Sequence, residues 1–292
     1  MKDQPGDASV PLPSSSAPTG HDHVTLIEPR SGWHMLNWRE LWAYRELLWV
    51  LTARDVKVRY KQTVLGAAWA VIRPLLTMVI FSIVFGQLAK MPSDGYPYPV
   101  FVYAALLPWT FFAAAITSSG QSLVGSANLV SKVYFPRLII PLSSIGAGLV
   151  DLAIATVVLL AMMAWYRVGF TWNLLAAPLL LAGVVFVALG VGTLLSALTV
   201  AYRDFTHLTP FLVQIWMYVT PVIYPVALVP EQWRWLLYLN PMTGLIEAFR
   251  SAFLGKPFDI GGIGLSFAVA LAIFALGVAY FERVERRFAD II

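Results

Sequence analysis

The sequence predicts an all-α polytopic membrane protein. It has six transmembrane helices, an N-terminal amphipathic helix at the membrane surface, and two re-entrant helices between the fifth and sixth spans. Three observations carry this. Hydrophobic residues make up 59% of the 292 and charged residues 12%, with a mean hydropathy of +0.71, whereas soluble domains are about a quarter charged. Six stretches reach the roughly 20 apolar residues a helix needs to cross hydrocarbon. The basic residues, finally, alternate from side to side as topology signals do. The formal charge of +4 does not point to nucleic acid, because the basic residues cluster beside apolar stretches. The absence of cysteine excludes disulfides, thiolate nucleophiles and Cys-ligated metals.

Residues 1–29 are rich in Pro and Ser and poor in large apolar side chains, so a disordered tail is expected there. No apolar run follows Met1-Lys2, so the first span is expected to direct insertion. His21 and His23 form an isolated His-x-His and imply no metal site. Residues 30–65 read as an interface segment. As a helix it places Trp49, Ala53, Val56 and Tyr60 on one face and Arg54, Lys57 and Lys61 on a second, with Leu47, Leu51 and Val58 as a further apolar stripe. Together with Arg59, these basic and aromatic residues suit a membrane surface with anionic headgroups.

The spans are expected at 66–89, 100–124, 139–165, 174–201, 208–226 and 263–281. Residues 227–258 differ, with two moderately apolar pieces broken at Asn240-Pro241, each too short to cross. With the N-terminus in the cytoplasm, only Lys90, Arg167, Arg234, Arg250 and Lys256 of the 20 basic residues fall outside. Both termini are then cytoplasmic. A seventh span would move Arg283, Arg286 and Arg287 outside, which favours a dip and return.

Inside the apolar stretches, Arg73 is close enough to the surface to snorkel. Asp151 must either bond a neighbouring helix or face an aqueous path. Pro210, Pro221 and Pro225 free carbonyls in the fifth stretch that some donor must satisfy. Glu247 and Arg250 sit at i, i+3, where a local ion pair is expected. Trp69, Tyr103, Trp109, Trp216, Tyr218 and Tyr224 are candidates to line a channel and stack on sugar rings; packing and interfacial anchoring are the plainer roles for each. The sequence contains no phosphate-binding loop, no G-x-S-x-G and no H-E-x-x-H. His207 stands alone. No catalytic constellation, cofactor site or metal site is expected in this chain.

Five stretches, RDVKVRYKQTVLGAAWAVIRPLL, LPWTFFAAAI, NLVSKVYFPRLIIPLSS, YRDFTHLTPFLVQIWMYVTPVIYP and LNPMTGLIEAFRSAFLGK, occur in an order that resembles one family. It is the membrane permease subunit of bacterial ABC exporters for polysaccharides and polyol phosphates, the group of O-antigen, capsule and teichoic acid exporters. The resemblance implies a channel formed by two copies of the chain, two copies of a cytoplasmic ATPase that binds ATP and Mg, and a lipid-linked glycan as substrate. It also implies an interface helix around Trp49 to Lys61, an external gate containing Asn240, Pro241, Glu247 and Arg250, and a coupling helix between the second and third spans. In that loop Ser131, Lys132, Tyr134, Phe135 and Arg137 would meet the ATPase, with Arg203 and Asp204 as a second contact. Three other functions remain open at this point: a permease for a drug or lipid, a gradient-driven flippase using Asp151, and an intramembrane enzyme acting on lipid-linked sugars.

Overall fold

A computed structural model of the protein describes residues 38–61 and 66–285. The tail expected at 1–29 and the basic pair Arg286 and Arg287 lie outside the described residues. Every regular element among the described residues is helical. Helices α1 (Trp38–Ala43) and α2 (Arg45–Lys61) precede a short 3-10 turn and α3 (Trp69–Phe81), which continues as a π-helix to Leu88. Next come α4 (Tyr98–Gly125), α5 (Ala127–Lys132), α6 (Ile139–Trp165) and α7 (Ala177–Ala201), the last preceded by a 3-10 turn at Trp172–Ala176. The chain ends in α8 (Phe205–Val219), α9 (Glu231–Tyr238), α10 (Pro241–Leu254) and α11 (Ile260–Glu285). Among the described residues, five continuous helices are long and apolar enough to cross a membrane: Trp69–Leu88, Tyr98–Gly125, Ile139–Trp165, Trp172–Ala201 and Ile260–Glu285. The protein is an all-helical, multi-pass membrane protein.

The expected fifth stretch, 208–226, takes a different form. Its helix, α8, starts earlier and stops at Val219, so it rises only about 22 Å against roughly 30 Å of hydrocarbon. The stop is chemical. Pro221 disfavours helical backbone at the residue before it, and Thr220 is extended at φ −87°, ψ 138°. Beyond it the chain runs through Pro225 into α9 and α10, which meet at Asn240-Pro241.

Helix α4 is the axis of the bundle. It packs against α3, α6, α7, α8 and α10, and 78% of its most apolar window is buried, against 11% for Trp69–Leu88. Phe101, Tyr103, Phe112 and Ile116 of α4 sit in the main core with Val184 and Val187 of α7 and Met242 and Phe249 of α10. In hydrocarbon, helices associate through close packing rather than through expulsion of water. The crossing of α7 and α11 shows this directly: a Cβ added to Gly277 would lie 2.1 Å from the Gly190 carbonyl oxygen. A second, smaller core gathers Leu51, Phe135, Ile139, Val200 and Phe281. This brings α2, the ends of α7 and α11 and the start of α6 to one end of the bundle, called here the α2 end.

Candidate functional site

At the opposite end of the bundle, the broken tip of α8 is held by polar side chains from α4 and α10. Arg250 is fully buried. Its Nη1 donates to Glu247 Oε2 at 2.7 Å, and its Nη2 donates to the carbonyls of Pro221 and Val222 at 2.9 and 3.1 Å. The guanidinium also lies 3.8 Å from the centre of the Phe101 ring. The carbonyls released by the proline break thus find their donor in a single arginine, whose planar fork can serve two acceptors at once. The Tyr98 hydroxyl adds a bond to the Ile223 carbonyl at 2.8 Å.

Asn240 joins the same assembly. Its Oδ1 caps α10 through the Met242 amide at 3.1 Å and accepts from Trp216 Nε1 at 3.0 Å, while its Nδ2 donates to Thr220 Oγ1 at 2.8 Å. Pro241 occupies the first helical turn, where its missing N–H costs nothing. Of the expected gate residues, Asn240, Pro241, Glu247 and Arg250 therefore come together around one break. The capping role of Asn240 was legible as an Asn before a Pro-led helix; its bonds across to α8 were not. Lys256 and Asp94, not singled out in the sequence, form an ion pair beside this cluster. Asp94 reaches it from a tight turn, with φ 51° at Asp94 and 84° at Gly95.

Just before α11, Asp259 accepts from the Tyr238 hydroxyl at 2.7 Å through Oδ2 and from the Gly262 amide at 3.1 Å through Oδ1. The Tyr238 bond and the backbone donors hold its carboxyl below the usual carboxylate range. Asp259 thereby caps α11 and ties it to α9.

The aromatic residues expected to line a channel divide into two groups. Tyr103 and Trp109 are buried within the chain. Trp109 and Trp216 pack with Phe112 in an edge-to-face cluster, with ring centres 5.1 to 6.4 Å apart. Their faces are occupied by one another. Trp69 and Tyr218 are exposed, and Tyr224 is half-buried with its hydroxyl on the Val219 carbonyl at 3.3 Å. The Arg73 guanidinium stacks on Trp69, 5.6 Å from the ring centre.

At the α2 end, Asp151 is bonded to Arg59 of α2, which is the helix-bonding alternative among its expected roles. Its Oδ1 is buried without a hydrogen-bond partner. Asp55 adds a bond from the Ser143 hydroxyl at 3.2 Å, and a Cβ on Gly146 would meet the Thr52 side chain at 3.1 Å, so α2 lies close along the first half of α6. The buried face of α2 is the Leu47, Leu48 and Leu51 side, which packs on the smaller core. Trp49, read with Ala53, Val56 and Tyr60 as one apolar face, is exposed instead, because α6 and the smaller core offer apolar partners only to the leucines. Lys57 and Lys61 are exposed and Tyr60 is half-buried.

The loop after α4 is also at this end. Ser131, Lys132 and Tyr134 are exposed, and so are Arg203 and Asp204 between α7 and α8. Phe135 is not available as a surface contact, being 4% exposed within the smaller core. Arg137 is bonded through its backbone amide and its guanidinium to Glu285 at the end of α11.

Residues 46–254 match the family described as ABC-2 type transporter. The chain is 29% identical over 251 residues to the O-antigen export system permease protein RfbA of Klebsiella pneumoniae, covering 85% of this chain and 95% of that protein. A protein of the same name from Myxococcus xanthus is 26% identical over 257 residues, with 87% and 98% covered. The polysialic acid transport protein KpsM of Escherichia coli is 23% identical over 232 residues, with 77% and 86% covered. The match takes in α2 together with the clamp at the α8 break, so both ends of the bundle lie within the shared region: this chain belongs to the ABC-2 type transporter family.

Proposed function

We propose that this chain is the channel-forming permease of an ATP-driven exporter that moves a lipid-linked polysaccharide of the O-antigen kind across the bacterial inner membrane. The observation that carries the reading is its collinear similarity to O-antigen export permeases over 85% of this chain and 95% of theirs. Two copies form the channel, with six spans in each: the five continuous helices, and α8 completed by the extended segment that Arg250 and Asn240 hold. Helices α9 and α10 dip back as the external gate, and both termini face the cytoplasm. ATP and Mg bind to two copies of a separate ATPase; this chain carries no cofactor. The exposed Ser131 and Lys132 at the end of α5 and Tyr134 just after it, with Arg203 and Asp204 beside α8, supply the charged and aromatic contacts that a docked ATPase uses. Asp151 serves as the anchor of α2, and the exposed Trp69 and Tyr218 are the aromatic rings left to meet a passing glycan.

The test is export in cells lacking this gene, complemented with wild type or with Lys132→Glu/Tyr134→Ala, alongside ATPase activity of the purified complex. The wild type restores surface polysaccharide only together with its ATPase. The double variant folds normally, yet loses about tenfold or more of export as the contact is weakened by roughly 1.4 kcal/mol or more. Export by the permease alone, driven by a proton gradient, would overturn the reading.

A further inference from the structure

Residues of α2, α4 and α6 line a shallow, largely open cleft of about 370 Å³. Its walls differ in chemistry. Arg54 and Arg59 of α2 bring guanidinium donors, with Asp55 between them in sequence; Ser118 and Ser122 of α4 and Ser144 of α6 bring hydroxyls. Ser118 and Ser122 are one helical turn apart, so α4 presents both to the same side. Polar side chains on a membrane helix mark an aqueous cavity or a path for a polar solute, and here they coincide with a cavity.

The hydrogen-bond directions narrow the solute. Ser122 already donates its proton to the Ser119 carbonyl at 2.7 Å, and Ser144 donates to the Ile140 carbonyl at 3.3 Å. Their oxygens therefore offer lone pairs to the cleft, as the Asp55 carboxylate does, and such a wall accepts from hydroxyl groups. The guanidinium wall does the opposite and donates to anionic oxygens. Arg54 is held at 2.9 Å by its sequence neighbour Asp55, in a half-exposed pair of the kind that contributes little and is readily exchanged. Arg59 engages Asp151 through Nη1, and a guanidinium carries five N–H donors. A bare phosphate would leave the acceptor wall unused, while a ligand with both anionic oxygens and hydroxyl groups would engage both walls. The volume lies at the small end of the range for small-molecule sites, so the cleft takes a headgroup and not a polymer.

We propose that this cleft binds the headgroup of the lipid-linked substrate as a glycosyl phosphate or diphosphate. Its phosphates lie on Arg54 and Arg59, its first sugar against Ser118, Ser122 and Asp55, and its lipid tail remains in the bilayer. The inference rests on the export reading for the identity of the solute, but its test is binding and does not depend on transport.

The full chain in lipid nanodiscs is titrated with farnesyl diphosphate N-acetylglucosamine, with farnesyl diphosphate, with the soluble glycosyl diphosphate UDP-N-acetylglucosamine, and with inorganic pyrophosphate. The glycosylated lipid binds best, and UDP-N-acetylglucosamine binds better than pyrophosphate. Arg54→Gln weakens the glycosylated lipid about tenfold, the loss expected for one charge-assisted bond. Arg59→Gln combined with Asp151→Asn does the same without leaving a half-buried carboxylate unpaired. Ser118→Ala/Ser122→Ala abolishes the preference for the glycosylated over the plain lipid diphosphate. Unchanged binding in Arg54→Gln and in the charge-neutral double variant would overturn the proposal, as would pyrophosphate binding as tightly as the sugar-bearing ligands. If these variants lose nothing while deletion of the gene abolishes glycan export, the site is wrong and the export reading stands. If binding follows the pattern above while deletion leaves export intact, the site stands and the export reading falls.

Discussion

Arg250 shows how one side chain can decide a local fold. A buried guanidinium is costly unless its charge and donors are answered; here Glu247, two carbonyls and the Phe101 ring answer the charge and the Nη donors, while Nε is left without a hydrogen-bond partner. Arg250→Met should lower stability by about 3 kcal/mol or more, read as thermal unfolding in detergent, since it strands Glu247 and both carbonyls. Arg250→Met with Glu247→Gln should recover part of that loss. Arg250→Lys should not restore the wild-type value, because a single ammonium cannot reproduce the fork. A change under about 0.5 kcal/mol in Arg250→Met, the range of an ordinary surface substitution, would show that the clamp is incidental.

Helices here are defined as much by how they end and how closely they approach as by their apolar content. Gly277 and Gly190 allow backbone contact between α7 and α11. Gly277→Leu has no space to enter, and overpacking of about 1–3 kcal/mol or more is expected, visible as a reduced melting temperature or as loss of the monodisperse protein. Asp259 acts at the start of α11. Its carboxyl is held below its unfolded value, so its contribution is present above the ordinary carboxylate pKa of about 3.9 and is lost as pH falls through the depressed folded value. Melting temperatures measured downward from pH 7 should fall at the acid end for the wild type. Asp259→Asn, which keeps a capping oxygen but loses the charge, should start only slightly lower and should show a flatter acid limb. Parallel acid limbs in the two proteins would remove Asp259 from the account.

Over the whole molecule, the large apolar side chains left on the surface follow the solvent. Leu76, Val79 and Ile80 on α3, Ile83 in its π-helical continuation, and Phe211, Leu212 and Ile215 on α8 are exposed, as suits residues that meet lipid or a second copy. Trp165, Phe170 and Trp172 cluster where α6 turns into α7, and Trp42 and Trp49 lie toward the α2 end, in the manner of aromatic belts. The α2 end also separates support from contact. Phe135→Ala should cost about 3–5 kcal/mol by opening a cavity in the smaller core. Tyr134→Ala, one residue earlier and exposed, should leave the melting temperature unchanged. Equal stability losses would mean that Tyr134 is packed in the folded protein and is no surface contact.

Much of this architecture was legible because hydrocarbon imposes a length and a polarity on every span. The stretches at 139–165 and 100–124 correspond to Ile139–Trp165 and Tyr98–Gly125, and the break expected at Asn240-Pro241 is where α10 begins. Glu247 and Arg250 were readable as a pair because helical spacing is local. The remainder was set in three dimensions. Nothing in the order of residues says that Arg59 meets Asp151, 92 positions away, that the carbonyls of Pro221 and Val222 find Arg250, or that Phe135 turns inward while Tyr134 turns out. The sequence alone determined the membrane solvent, most of the long helices and the break at Asn240-Pro241, because those depend on neighbours along the chain. The tertiary structure alone decided which charges pair, which aromatic rings are already occupied and which hydroxyls face a cleft, because those depend on neighbours brought together only by packing.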